Sequence, residues 1–169
     1  MNAGADELAA DGYRYANAVD VQAGDFDGQG HLNNAAIVRL FNDMRIDYVR
    51  GSIGAWWTDA IQEQGYVIAA REVHVSYESE GFPGEKFVGA MKYVRREGKA
   101  AILEQRIVEA STGRSLARAW VVQLLVQRGT VIDWPDRYFD VVATIEGGPI
   151  ERRPRGPVRA WGPPSSTVG

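Results

Sequence analysis

The chain has no cysteine and only two histidines among its 169 residues. The first absence excludes disulfides, thiolate zinc sites and cysteine nucleophiles together. The second excludes a three-histidine zinc site. No charge-free apolar run approaches the ~20 residues that a spanning helix needs; the longest is AWVVQLLVQ at 119–127. The opening MNAGADELAADGYRY has neither a basic region nor an apolar core of signal-peptide length. Neither a G-x-S-x-G elbow nor a G-x-G-x-x-G or Walker-type loop occurs, so serine-elbow hydrolysis and nucleotide cofactors lose their usual signatures. The net charge of −3 provides no basic surface for nucleic acid or an anionic membrane. These absences describe a soluble protein, placed in the cytoplasm.

What remains is an ordinary globular composition, 45% hydrophobic and 24% charged. Residues 1–12 lack periodicity and read as a loose lead-in. YRYANAVDVQAG (13–24) reads as a first strand. Ile37, Leu40, Phe41, Met44 and Tyr48 recur at three- and four-residue steps, which predicts a helix. Val38, Ile46 and Val49 widen its apolar face, as in a helix buried at the centre of a fold, and Gly51 can end it. GSIGAWWTDAIQEQG is a linker or short helix. The period then changes. In YVIAAREVHVSYES (66–79), Val73, Val75 and Tyr77 alternate with Glu72, His74 and Ser76. KFVGAMKYVRR (86–96), AAILEQRIVEA (100–110) and SLARAWVVQLLVQ (115–127) read as three more strands joined by short turns, an antiparallel meander. WPDRYFDVVATIEGG (134–148) reads as a terminal helix. Residues 149–169 form a tail; 151–169 hold four Arg and one Glu, with Pro and Gly between them. One strand, one apolar helix and four further strands make a two-layer α+β domain over residues 13–148, its sheet curling around the helix.

The chemistry concentrates in GDFDGQGHLNNAAIVRLFNDMR (24–45), where two Asp, three Gly, one His and two Asn precede the helix. A helix start has orphan N–H groups and partial positive charge. Asn33 or Asn34 can cap it. On the simplest account the segment is a glycine turn with a cap. A second account adds function: a carboxylate beside free helix N–H groups can activate water or attack, while the amides hold an oxyanion.

These residues resemble the D-x-D-x-x-G-H-[VL]-N-N segment of hotdog-fold acyl-CoA thioesterases, the group around 4-hydroxybenzoyl-CoA thioesterase. In that pattern the segment leads into a helix reading Y-x-x-Y-F-E-x-A-R. VSYESEGFPGEKF (75–87) is similar to the family's strand-turn-strand, and WPDRYFDVVATIEG to its closing helix. The resemblance covers residues 14–148. It implies a long helix wrapped by a curved antiparallel sheet, and a homodimer or homotetramer with sites between subunits. It places the catalytic carboxylate at Asp27, as general base or nucleophile, and the oxyanion donor at the Asn34 N–H. His31 and Asn33 position the turn or touch substrate; Asp25 is structural. Phe26, Ile37 and Asn42 depart from the pattern, where a small polar residue, Tyr and Glu are usual. Some members use a carboxylate on the central helix, for which Asp43 and Asp47 are the candidates here.

The expected activity is hydrolysis of an acyl-CoA, with acyl carrier protein as another donor and no metal or redox cofactor. Arg95, Arg96 and Lys99 cluster at a strand turn, either solvated or holding CoA phosphates. Trp56 and Trp57 either line an acyl pocket or pack in the core. His74 reads as solvated or at a subunit interface. Two rivals share the fold. One is an enoyl-CoA hydratase or dehydratase, whose G-D-x-N-P-x-H motif begins like GDFDGQGH. The other is an acyl-CoA-binding module without turnover.

Overall fold

The computed structural model describes residues 2–154. Seven strands form one curved sheet: β1 (Tyr15–Ala18), β2 (Tyr66–Tyr77), β3 (Phe87–Glu97), β4 (Ala100–Glu109), β5 (Ser115–Gln127), β6 (Thr130–Ile132) and β7 (Glu151–Arg153). Its main path runs β1-β3-β4-β5-β2, with β6 on β5 and β7 on β3. Every pairing is antiparallel except β3 with β7. The architecture is the expected α+β hotdog arrangement.

The central helix α2 (Asn34–Tyr48) lies on the concave face. Ile37, Leu40, Phe41 and Met44 pack against Phe87, Ile107, Leu116, Ala117 and Ala119 of the sheet. The approach is close. A Cβ at Gly89 would lie 2.5 Å from Met44 Sδ and 2.6 Å from Val19 Cγ1, so only glycine fits there without movement. The wider apolar face read from the sequence is not buried all round: Val38 and Ile46 are exposed. The sheet covers α2 from one side only, so the opposite side meets solvent.

The helix does not stop at Gly51. It passes through one π-helical turn, Val49–Ile53, and ends at Gly54, where φ is +95°. A positive φ is the conformation for which glycine is suited. The segment read as a linker or short helix is α3 (Ala55–Gln64). With α4 (Asp136–Glu146) it closes the second half of the core, where Trp57, Tyr93, Trp134, Tyr138 and Phe139 cluster.

Three terminal expectations change. Residues 1–12 are not a loose lead-in: Ala3–Ala10 form α1, capped by the Asn2 side chain accepting from Ala5 N–H at 3.1 Å. Leu8 and Tyr13 bury themselves against Val88, Ala90 and Val108 on the convex face. Leu8 is the one large apolar side chain in α1, and neighbouring strands supply most of the surface that α1 covers, which hides it from a local reading. The first strand is shorter than 13–24, because Val19 onward turns into a 3-10 turn at Ala23–Asp25. The segment read as tail begins with β7, residues 151–153, paired with Arg95–Glu97; the rest of that segment from 155 lies outside the described residues.

Among the described residues β2 is an edge strand, paired with β5 on one side only. Val67, Val73 and Tyr77 on it are exposed. Its alternation therefore does not separate a core face from a solvent face as cleanly as the sequence suggests.

Candidate active site at the start of the central helix

The segment before α2 folds back on itself. Asp27 N–H donates to His31 O at 2.8 Å, and Gly30 N–H to Asp27 O at 3.0 Å. The Asp27 side chain completes the turn: Oδ1 accepts the N–H of Gln29 at 2.8 Å and of His31 at 3.0 Å. Phe26 and Leu32 form an isolated bridge at its base. Gly30, at φ +79°, makes the reversal.

Asn33 caps α2, its Oδ1 accepting Ala35 N–H at 2.8 Å. This leaves Asn34 as the first helical residue, at the end where N–H groups are unsatisfied and the helix dipole is positive. The Asp25 side chain is tied into the fold. Its Oδ2 accepts Gln22 N–H at 2.7 Å and meets Arg39 Nη2 at 2.6 Å.

The opposite wall comes from the segment after β2. Leu32 N–H donates to Gly81 O at 2.8 Å. A Cβ at Gly81 would meet Leu116 Cδ2 at 2.9 Å and Leu32 Cβ at 3.2 Å, so this loop is pressed against the turn. His31 Nδ1 lies 3.6 Å from Glu80 Oε1, and its ring stands edge-on to Phe82 at 5.4 Å. Arg114 fastens the loop: it donates to Ser79 Oγ at 2.8 Å, to Glu80 O, and to Glu85 Oε1 at 2.6 Å. Ser79 Oγ in turn donates to Ser115 O at 2.6 Å.

Between these walls lies a hollow of about 410 Å³, lined by Asp27, His31, Asn33, Asn34, Tyr77 and Glu78 among others. The four polar residues read from the motif thus share one pocket. Hydrogen bonds from the His31 and Gln29 N–H groups hold the Asp27 carboxyl below the usual carboxylate range. Asp27 is therefore ionised throughout the neutral range. Only its Oδ1 is engaged in the turn; Oδ2 has no hydrogen-bond partner among the described residues.

Arg95, Arg96 and Lys99 do not join this pocket. They stand at the β3–β4 turn, near β7 and α4, the opposite end of β3 from Phe87. Arg95 pairs with Glu97 at 2.5 Å. Arg96 is buried, with its guanidinium 4.2 Å over the Phe139 ring. Lys99 donates to Val131 O at 3.0 Å. Arg95 and Lys99 thus have polar partners within the fold, whereas Arg96 has the ring contact and a buried Nε without a hydrogen-bond acceptor among the described residues. Asp43 is paired with Arg39 at 2.7 Å, and Asp47 lines a separate small hollow beside Tyr15. His74 is exposed on β2, opposite Trp120 in register.

Ser79 and Glu80 line the far wall; they fall inside the 75–87 segment noted in the sequence, though neither was expected at the site. Arg114, which fastens them from just before β5, carries no local signal. Among the described residues no cluster of three or more His, Asp or Glu could hold a metal. No helix among them is long and apolar enough to cross a membrane.

Residues 21–146, which include the whole Asp27 turn, match the model of the thioesterase-like superfamily. The chain belongs to this superfamily. The solved structures it resembles share the fold at low identity. A thioesterase from Thermus thermophilus, complexed with coenzyme A and Zn, superposes with a TM-score of 0.69 at 23% identity, covering 82% of this chain and 98% of that one. A 1,4-dihydroxy-2-naphthoyl-CoA thioesterase from Synechocystis gives 0.68 at 11%, covering 76% and 95%. A hypothetical protein of Staphylococcus aureus in complex with CoA gives 0.69 at 17%, covering 88% and 89%. No individually curated protein sequence matches the chain.

Proposed function

We propose that this superfamily member hydrolyses an acyl-CoA thioester to the free acid and CoA thiol, using Asp27. The observation that carries the reading is the convergence of an ionised carboxylate and a helix N-terminus on one pocket. The first supplies the negative charge that activates water; the second supplies a donor for the oxyanion.

In the general-base route, Asp27 Oδ2 takes a proton from water as the water oxygen attacks the thioester carbonyl. The carbonyl oxygen gains negative charge opposite the Asn34 N–H. When the C–S bond breaks, the thiolate leaves and takes up the proton, giving acid and thiol. In the nucleophilic route Oδ2 attacks the carbonyl itself, the thiolate leaves, and water then hydrolyses the mixed anhydride. His31, held between the turn and Glu80, lies at the rim where it can touch substrate. Coenzyme A in two of the solved neighbours supports CoA as the carrier, and the naphthoyl-CoA substrate of a third supports an acyl-CoA over other esters.

Tyr77 belongs both to the free edge of β2 and to the pocket wall. A second copy paired along that edge would close the pocket from the outside, which supports a homo-oligomeric site. Light scattering of the purified protein tests this, with a monomer counting against it.

The decisive experiment is thiol release from short, long and aromatic acyl-CoAs by wild type and Asp27→Asn. Release that falls at least about a hundredfold in the variant, the scale of losing a general base, supports the reading. Release equal in both moves the chemistry away from Asp27. No release from any substrate favours a hydratase or a non-catalytic acyl-CoA-binding domain.

A further inference from the structure

A second hollow, of about 360 Å³, lies along the other half of α2, against α3 and β2. Ile46 and Val49, the residues that widened the helix's apolar face, line it together with Trp57, Ile61 and Ile68. Two arginines, Arg45 and Arg50, also line it, and no Asp or Glu does.

Arg45 is the unusual group. It is only 8% exposed. Its guanidinium donates to Gln105 Oε1 at 2.7 Å and Asn42 Oδ1 at 3.2 Å, both neutral amide oxygens. Gln105 is itself fixed, donating to Phe41 O at 2.8 Å. No carboxylate pairs with Arg45 or Arg50 among the described residues. A buried charge is ordinarily matched by a counter-charge, because desolvation is expensive. Burial here pulls the Arg45 pKa downward, and the Asp43 carboxylate, which does not pair with it, offsets that only in part. The indole N–H of Trp57, also in the wall, is buried with no acceptor among the described residues. The pocket is thus apolar in body, rich in donors and short of one negative charge.

We propose that this pocket binds an apolar acid, with the ligand's carboxylate on Arg45 and Arg50 and its hydrocarbon against Trp57, Ile61 and Ile68. An arginine–carboxylate contact in a sheltered site is charge-assisted and forked, so the acid is preferred over its uncharged amide. The inference stands apart from the hydrolase reading. Arg45 lies eleven residues beyond Asn34 on α2, which is about 16 Å along the helix axis. The carboxylate can belong to a free acid or to the far end of an acyl chain.

The test is calorimetric titration of the whole protein with octanoate and 3-phenylpropionate, each beside its amide. The acids bind at least about tenfold more tightly, a difference of about 1.4 kcal/mol. The preference disappears in Arg45→Met, shrinks in Arg50→Gln, and disappears in Asn42→Glu, which sets a carboxylate beside Arg45. Asn42 is exposed, so that last variant keeps the test sound if Arg45→Met does not fold. Equal binding of acid and amide, no binding of either, or a preference that survives in Asn42→Glu and Arg50→Gln overturns the proposal. Asp27→Asn binds as wild type does, so failure of the hydrolase reading leaves this result intact. A lower KM for ω-carboxyacyl-CoA than for the methyl-ended chain supports the site as the seat of the acyl tail. Equal KM with acid-selective binding supports it as a site for free acid.

Discussion

Asp27 Oδ1 accepts the backbone N–H of His31 at 3.0 Å, so the proposed catalytic carboxylate also holds the turn that presents it. The two roles separate by substitution. Asn retains an oxygen acceptor for His31 and Gln29 but carries no charge. Asp27→Asn is therefore expected to lose at least about a hundredfold in kcat while its melting temperature stays near wild type. Asp27→Ala loses the acceptor as well and is expected to lower stability further, measurable by urea unfolding.

The hydrogen bonds that lower the Asp27 pKa set the direction of its pH dependence. A carboxyl with a depressed folded pKa stays ionised as pH falls through the ordinary carboxylate range. The acid limb of kcat/KM is expected below the usual Asp value of about 4, provided the fold persists. Stopped thiol assays between acid and neutral pH measure it; a limb near neutrality would assign the base to another group.

Glu109 adds a stability counterpart. Side-chain and backbone donors of Thr112 and Ser111 converge on its carboxylate and lower its pKa to about 2. Its contribution is present above the unfolded Glu pKa of about 4.3 and is lost as pH falls through the folded value. Replacing Glu109 with Gln should therefore destabilise at neutral pH, with the gap to wild type closing as acid is added. Chemical denaturation at several pH values follows this directly.

Arg114 carries the loop that walls the pocket, through Ser79, Glu80 and Glu85. Its loss in Arg114→Met is expected to cost about 1–2 kcal/mol, the scale of charge-assisted hydrogen bonds at a part-exposed site. The activity signature is a raised KM, because the loop forms the wall rather than the reacting groups. Steady-state kinetics with the best acyl-CoA separates the two parameters.

The N-terminal helix is part of the fold. Leu8 is fully buried against the convex face of the sheet. Leu8→Ala should cost about 3 kcal/mol, within the range for buried leucine truncation, read from the urea midpoint. A change below about half a kcal/mol, the usual scale of surface substitutions, would mean that α1 is dispensable.

Local chemistry made the site's first wall legible. Asp27, His31, Asn33 and Asn34 lie within eight consecutive residues, and a turn followed by a cap and a 3.6-residue period can be read from such a span. The strands announced themselves through their two-residue period and short turns. Tertiary structure decided everything that depends on distant residues meeting. It set Ser79 across from the turn, with Arg114 behind it, and placed Arg95, Arg96 and Lys99 far from the pocket. It seated α1, which has Leu8 as its one large apolar side chain, on surface supplied by β3 and β4. It left the Arg45 guanidinium hydrogen-bonded to neutral amides alone, which no local pattern could show. The physical reason is the same in each case. Backbone propensity and capping act over a few residues and are written in order along the chain, whereas burial and charge balance are sums over neighbours that only folding brings together.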